Sequence, residues 1–454
     1  MAGEFQLTDY GPMAGHFASS PLGMLCVDEG GVQTGPFGSQ LHQEDYVLVG
    51  TPIITVEHLG ENRITRSNLP RVSVKDKERL LRYSLQEGDI VFSRVGSVDR
   101  RALVRKEEDG WLFSGRCLRV RVDKKRICPQ FLSWVFGLEG FKQHIRRVAV
   151  GATMPSINTK ILSGIPVYYP PLPEQKSIAH ILVTLDDKID LNRRMNATLE
   201  AMARSLFQSW FVDFDPVRAK LDGRKPAGID ASTSDLFPAH FQDSILGPIP
   251  QEWRVSTLGE LAKNVSITFD FTRTSEVIFI NTGEVLEGDF LHSTRSVQAG
   301  LPGQAKKSIR PDDILFSEIR PENKRFAYVD FDSSDYVVST KFMVIRASKD
   351  IHPRLLYRIL TAEETLNEFQ VQAESRSGTF PQITFDSISH LPIVLPPMEI
   401  QEAYQRAVCD IDAQIKLNKQ QSRTLATLRD ALLPCLMSGK LSVFNGQLPE
   451  EEFV

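Results

Sequence analysis

Asp312, with Glu322 and Lys324 ten and twelve residues downstream, is the grouping in this 454-residue chain that most resembles a hydrolytic centre. Two carboxylates and a lysine can hold a divalent cation and position a water for attack on a phosphodiester. Asp312-Asp313, however, aligns with Gly88-Asp89 in an earlier stretch of the same pattern, which has no Glu-x-Lys after it. A shared turn therefore accounts for the aspartates without any metal. Other catalytic signatures are missing. The chain has no Asn-Pro-Pro-aromatic or Asp-Pro-Pro-Tyr, no phosphate-cradling glycine loop and no His-Glu-x-x-His, and its nine histidines are scattered. Cys26, Cys117, Cys128, Cys409 and Cys435 form no CxxC pair, so neither a zinc site nor a disulfide scaffold is expected and a reducing compartment fits. The expectation is a chain with no catalytic residue, no metal and no cofactor.

Non-covalent recognition is the other chemistry these side chains could perform. The net charge is −4, yet residues 60–160 hold 22 Lys+Arg against 11 Asp+Glu, an excess that suits a polyanion. Residues 251–395 hold 16 against 20, which favours instead a rival reading as a protein-binding adaptor. Reading bases requires arginine or lysine for guanine, asparagine or glutamine for adenine, and amides or lysines for phosphates. In the first half, Gln33 and Thr34 can bond and Gly35 and Gly38 allow close backbone approach, with Ser39 beside them. Phe37 in this loop reads as an anchor or an apolar contact. Arg94, Arg100, Arg101 and Arg116 sit at expected strand ends, and Thr153 and Ser156 precede a last strand. The matching regions of the second half offer Arg273, Thr274, Arg320, Asn323, Lys324, Lys341, Arg376, Ser377 and Thr379. The partner these imply is double-stranded DNA.

What must position them is a duplication. Residues 161–212 are repeated 226 positions later by 387–438, and matches extend upstream: Gly88–Ser93 with Asp312–Ser317, Phe113–Arg116 with Val338–Lys341, Met154–Ile157 with Phe380–Ile383. Ser20–Gly23 corresponds to Ser256–Gly259, so the offset drifts from 236 through 224 to 226 and the length changes fall in early loops. Asp89–Ser93, Ile314–Ser317, Cys117–Val122 and Phe342–Arg346 read as strands, Phe131–Arg147 and Pro353–Val371 as helices. Residues 213–250, rich in proline and glycine, read as an irregular connector.

Pro170–Gln175 and Pro396–Gln401 each open a long amphipathic run, with proline and glutamate suited to a first helical turn. An apolar stripe at 3-4 spacing passes through Leu182, Leu185, Ile189, Leu199 and Leu206. Its copy passes through Val408, Ile411, Ile415, Leu425 and Leu432, and both break at a polar residue, Asn192 and Asn418. Such stripes pair helices side by side, and a polar break restricts register. About 37 residues span roughly 55 Å. An antiparallel pair of such helices would hold two readers over two short sites, as two-fold DNA-binding proteins do at roughly 34–36 Å spacing. Trp210 and Phe211 at the end of the first stripe are expected to be exposed as a docking surface.

Two unlike halves, each followed by a long helix opened by Tyr169–Gln175 or its copy, resemble the specificity subunit of type I restriction-modification systems. Leu185–Phe211, Gly247–Trp253 and Leu433–Leu441 carry the same resemblance, and Gly35–Ser39 and Leu315–Pro321 are similar to pieces of that family's target-recognition domains. Glu399-Ile400 departs from the family's Pro-Glu. The resemblance implies an α+β fold: two similar mixed α/β target-recognition domains (1–170 and 251–395) separated by two long helices (171–212 and 396–440). The helices would form an antiparallel coiled coil with pseudo-two-fold symmetry overall, and 213–250 and 441–454 would be connector and tail. It further implies one recognition domain per half of an asymmetric bipartite target and a helix pair that sets the spacer. Two modification (methyltransferase) subunits would dock on it, restriction subunits would join them, and the chain itself would be non-catalytic. With no evident secretory signal and no apolar stretch near 18 residues, a cytoplasmic protein without membrane contact is expected. The rival enzymatic reading is a metal-dependent endonuclease built on Asp312, Glu322 and Lys324.

Overall fold

The structure is a computed structural model and describes residues 5–272, 274–376 and 379–443, with the side chains of Ser39, Gln43 and Arg376 left out of the description. By its contacts the chain divides into two compact units, Met1–Arg194 with Asn418–Val454, and Met195–Leu417. Both are built to one plan.

In the first unit a five-stranded sheet runs β1 (Val32–Thr34), β4 (Cys117–Val120), β2 (Ile90–Ser93), β3 (Arg101–Leu103) and then Glu61–Asn62. β2 is buried along its whole length, as its unbroken apolar run Ile-Val-Phe demands. A second sheet pairs Leu112–Phe113 with Thr51–Ile54 in parallel. Ile53, Ile54, Val91, Phe113 and Cys117 fill the space between the sheets. α1 (Pro129–Val135) and α2 (Glu139–Val148) cover the other face, packing Phe131, Phe136, Phe141 and Ile145 onto Ile90, Phe92 and Leu118. The single helix expected over Phe131–Arg147 is thus broken. The break is at Gly137, where an added Cβ would lie 2.1 Å from Arg101 Nη2.

The second unit repeats this arrangement. Its sheet runs β5 (Ala262–Asn264), β8 (Phe342–Ala347), β6 (Ile314–Ser317), β7 (Phe326–Tyr328), with the same antiparallel pairings. Glu276–Ile280 pairs in parallel with Tyr336–Ser339, matching the second sheet of the first unit. α4 (Pro353–Leu360) and α5 (Glu363–Arg376) are again two helices rather than one. The two four-stranded second sheets differ at their edges: Ala305–Ser308 pairs with Tyr336–Ser339 in the second unit, whereas in the first Tyr46–Val47 extends the opposite side beyond Arg71–Val72.

Two 40-residue helices, α3 (Leu172–Phe211) and α6 (Met398–Met437), complete the fold, and each unit holds a segment of both. In the first unit Arg429 Nη1 lies 2.7 Å from Asp186 Oδ1. Asn192 Nδ2 faces Gln421 Oε1 at 2.9 Å, Ser422 Oγ at 3.3 Å and the Asn418 carbonyl at 3.4 Å. Numbers rise along α3 as they fall along α6, so the two segments are antiparallel. In the second unit Asn196 Nδ2 donates to the Ile415 carbonyl and Tyr404 OH to the Ala203 carbonyl, again antiparallel. Of the stripe residues, Leu182, Ile189, Asn192 and Asn418 are buried in the first unit, with Leu185, Leu425 and Leu432 half-buried. Val408 and Ile415 are buried in the second, with Leu199, Leu206 and Ile411 half-buried.

The glutamine of each opening segment explains that motif physically. Gln175 Oε1 accepts from the Cys128 amide at 2.9 Å while its Nε2 donates to the Pro170 carbonyl at 2.8 Å. Gln401 makes the same pair of bonds, to the His352 amide (2.7 Å) and the Pro396 carbonyl (2.9 Å). Each amide, 1% exposed, satisfies a buried donor at the start of α1 or α4 and a carbonyl ahead of the long helix. It therefore fixes where the long helix leaves its sheet.

Residues 213–250 hold more order than an irregular connector. Asp215–Leu221 and Ala231–Asp235 are helical, and Phe241–Gln242 pairs with Ile249–Pro250. Phe214, Val217, Phe237 and Ile249 join Trp253 and Tyr404 in the core of the second unit. They enclose Trp210 and Phe211, 2% and 8% exposed, so the docking surface expected there is instead packed core.

Candidate nucleic-acid interface

At one edge of the first unit four of the segments singled out in the sequence are tied by backbone bonds. As β2 ends, the Arg94 amide donates to the Arg116 carbonyl (2.8 Å) and the Arg94 carbonyl accepts from the Ile157 amide (2.9 Å). Gly96 N–H reaches the Pro155 carbonyl at 2.8 Å, and Ser156 exchanges two bonds with Val150. Gly35 N–H donates to the Cys117 carbonyl. A Cβ on Gly35 would lie 2.2 Å from the Ser114 carbonyl oxygen, and one on Gly115 would lie 2.5 Å from that of Pro36. Two glycines thus let the Gln33–Ser39 loop and the Ser114–Arg116 turn press together.

Arg100, Arg116 and Thr153 are exposed on these segments, with Gly38. Among the described residues the Arg100 and Arg116 guanidinium groups have no acidic partner, whereas Arg121 and Arg63 are engaged by Asp89 and Asp186. Gln33, Thr34 and Ser156 are half-buried, and Ser156 Oγ donates to the Val150 carbonyl. Arg94 is half-buried with Nη1 donating to the Gly115 carbonyl at 3.2 Å, so it braces the turn. Phe37 is 61% exposed and does not anchor its loop.

Arg101 is a correction. Its side chain is 3% exposed, its Nε donates to the Ser133 carbonyl at 2.8 Å, and burial pulls its guanidinium down to about 10. It cannot reach a ligand, because it packs under the α1–α2 break that Gly137 makes room for. The glycine in an otherwise helical pattern was the available signal.

The second unit repeats the three bonds made where β2 ends. The Glu318 amide donates to the Lys341 carbonyl (3.1 Å), the Ile383 amide to the Glu318 carbonyl (2.8 Å), and the Arg320 amide to the Pro381 carbonyl (3.1 Å). Glu318 therefore stands where Arg94 stands, Lys341 where Arg116 does, and Gln382 where Ser156 does. The sequence reading passed over Glu318 and Gln382, although the constant offset already aligned them with Arg94 and Ser156. Arg320 and Lys341 are exposed and unpaired among the described residues; Asn323 and Thr379 are exposed. Lys324 is engaged by Glu287 at 2.9 Å. Thr274 Oγ1 donates to the Glu276 carbonyl in a turn that, among the described residues, no hydrogen bond ties to this edge. Arg273 and Ser377 lie outside the described residues, as does the Arg376 side chain.

The endonuclease constellation is not assembled. Asp312 N–H bonds to the Val329 carbonyl at one end of the β6–β7 ladder, and its carboxylate accepts from Tyr328 OH. Ser317 N–H bonds to the Arg325 carbonyl at the other end, with Glu322 and Lys324 in the loop beyond. Five extended residues separate the two ends, roughly 15 Å. Asp312 has φ +71°, the turn residue that the alignment with Gly88 (φ +93°) implied. Among the described residues no cluster of His, Cys, Asp or Glu could hold a metal.

Buried pairs hold each edge in place. Arg121 makes two bonds to Asp89 (2.8 and 2.6 Å) and Arg346 two to Asp313 (2.7 and 2.9 Å), just upstream of β2 and β6. Further down, Asp186 of α3 takes Arg63, Arg105 and Arg429, while its counterpart Asp412 of α6 takes Arg354 and Arg358.

Comparison with known proteins agrees with this doubled plan. The family model described as the type I restriction modification DNA specificity domain matches residues 39–201 and 250–427. The HindI specificity subunit of Haemophilus influenzae is 48% identical over 182 residues, a span that covers 40% of each chain. The MjaIX specificity subunit of Methanocaldococcus jannaschii is 24% identical over 342 residues, 73% of each. In fold, the S subunit of a type I system from M. genitalium superimposes with TM-score 0.56 at 14% identity, covering 92% of this chain and 96% of that one. With both copies of the repeat matched over well more than half its length, the chain belongs to the type I restriction-modification DNA specificity family.

Proposed function

We propose that the chain is the sequence-specific DNA-recognition subunit of a type I restriction-modification complex and supplies no catalysis itself. Each domain reads one half of an asymmetric, bipartite duplex target through its loop edge. The helix pair sets the number of unread base pairs and docks two modification subunits, and restriction subunits join to complete the complex in the cytoplasm. The observation that carries this is the edge itself: one backbone scaffold, presented twice, with different side chains on it. Exposed cations with no acidic partner among the described residues lie on both edges (Arg100 and Arg116, Arg320 and Lys341); they suit phosphates on a duplex and argue against the adaptor reading. No helix among the described residues is long and apolar enough to cross a membrane.

The test is affinity for duplex DNA as a function of salt, using the full chain with its modification subunits. Counterion release predicts a log–log slope of several units and selection of one bipartite sequence from a randomised pool. A flat salt response, or selection of no sequence, overturns the proposal. The spacer role has its own test: four residues inserted near Ala197 should change the preferred spacer and leave both half-sequences as they were.

A further inference from the structure

Gln382 is held in an orientation that suits one base edge. It lies on the second unit's loop edge, bridged to Ile319 and flanked through backbone bonds by the exposed Arg320 and Lys341. Its Nε2 donates to Glu318 Oε2 at 3.1 Å. A carboxylate offers only lone pairs. The NH₂ end must therefore face Glu318. That leaves one N–H and the carbonyl oxygen of a half-buried amide uncommitted among the described residues. A glutamine with one donor and one acceptor side by side matches the N7 acceptor and N6 donor of adenine in the major groove.

We propose that Gln382 is a specificity-determining residue that reads an adenine in one half of the target, and that Glu318 is the positioning residue that sets its amide. The inference rests on the DNA-reading function proposed above and names a contact within it. The first unit cannot make the same contact. Ser156 occupies the equivalent place with its hydroxyl spent on the Val150 carbonyl, and Arg94 stands in place of Glu318. One domain would then discriminate adenine at this position and the other would not.

The experiment uses the full chain assembled with its modification subunits. A target is first selected from a randomised duplex pool, and each adenine in it is then replaced singly by 7-deazaadenine, which lacks the N7 acceptor. For the unaltered chain, one adenine in one half-site should lose affinity on the order of tenfold when replaced. In Gln382→Ala that replacement should cost nothing further, because the partner is already gone. Glu318→Gln should weaken discrimination at that adenine while keeping overall affinity, a result that a merely structural role would not give. If the deaza penalty survives unchanged in Gln382→Ala, or no adenine in either half shows one, the Gln382 assignment is overturned while the DNA-reading function stands. Failure of the unaltered complex to select any sequence would instead overturn that function, and the assignment with it. Circular dichroism of both variants should match the parent, separating a lost contact from a lost fold.

Discussion

Residues 94 and 318 occupy one backbone position in two domains, and the first is a cation where the second is an anion. Twenty-odd residues later the contrast reverses: Arg121 with Asp89 and Arg346 with Asp313 are the same pair in the same geometry. The difference separates two kinds of position. Buried polar groups that fix strand ends and helix exits are repeated, because leaving one partner unsatisfied away from water carries a large penalty. Side chains on the loop edge have no such buried ion pair to keep, and they diverge. Two readers of unlike sequences on one scaffold require this division.

The comparison is broken most severely at the repeated pairs. Asp313 is fully buried and Asp89 2% exposed. Asp313→Ala strands a half-buried guanidinium and removes the acceptor for the Arg310 amide. It should destabilise the second unit by about 3 kcal/mol, and Asp89→Ala should do the same to the first. Hydrogen exchange resolved by segment is the measurement. Protection should fall in the mutated unit's own sheet; equal loss in both would mean that the units do not fold as separate copies of one plan.

Next in size is the glutamine at the foot of each long helix. Gln401→Ala leaves the His352 N–H and the Pro396 carbonyl without their partner, and should lower stability by about 2 kcal/mol. Gln401→Glu retains the acceptor for His352 but lacks the donor for Pro396, and should fall between. Denaturant midpoints at constant m-value would read both. The Gln175 variants should give the same order if the anchor is a shared device.

Smaller effects are expected on the edge itself. Arg116→Ala and Lys341→Ala should each weaken DNA binding about fivefold, with the loss confined to one half-site and a shallower salt slope where the contact is to phosphate. Footprinting of each half of a selected target decides it. Equal weakening of both halves would sink the assignment of one domain to one half-target.

Much of this division was legible in the sequence, for a physical reason. Offsets of 224 to 226 survive because strands, helix starts and the Asn192 and Asn418 breaks cannot drift without unpairing their partners. The buried pairs could have been read from the same offset, since Asp89 and Arg121 both have counterparts. What failed to show were residues whose environment comes from elsewhere in the chain. Arg101 is spelled like a surface arginine, and only the space above Gly137 buries it. Trp210 and Phe211 look exposed until Phe214, Phe237 and Trp253 fold over them, and a segment packed by scattered aromatics has no period to detect. Gln382 looked ordinary because its meaning lies in the orientation that Glu318 imposes.

The mildest prediction concerns one exposed apolar side chain. Met154 lies on the first unit's edge, just ahead of Pro155, and is 66% exposed. It belongs to no core cluster among the described residues, so Met154→Ser should change unfolding stability by less than about 0.5 kcal/mol. A large apolar group exposed at this place gains contacts if it meets a thymine methyl or a sugar. The substitution should therefore cost binding roughly twofold to fivefold, at one half-site only. Because an apolar contact releases no counterions, the salt slope should stay as it was. A loss that scaled with salt would place this side chain away from the duplex and transfer its effect to the neighbouring cation, Arg116.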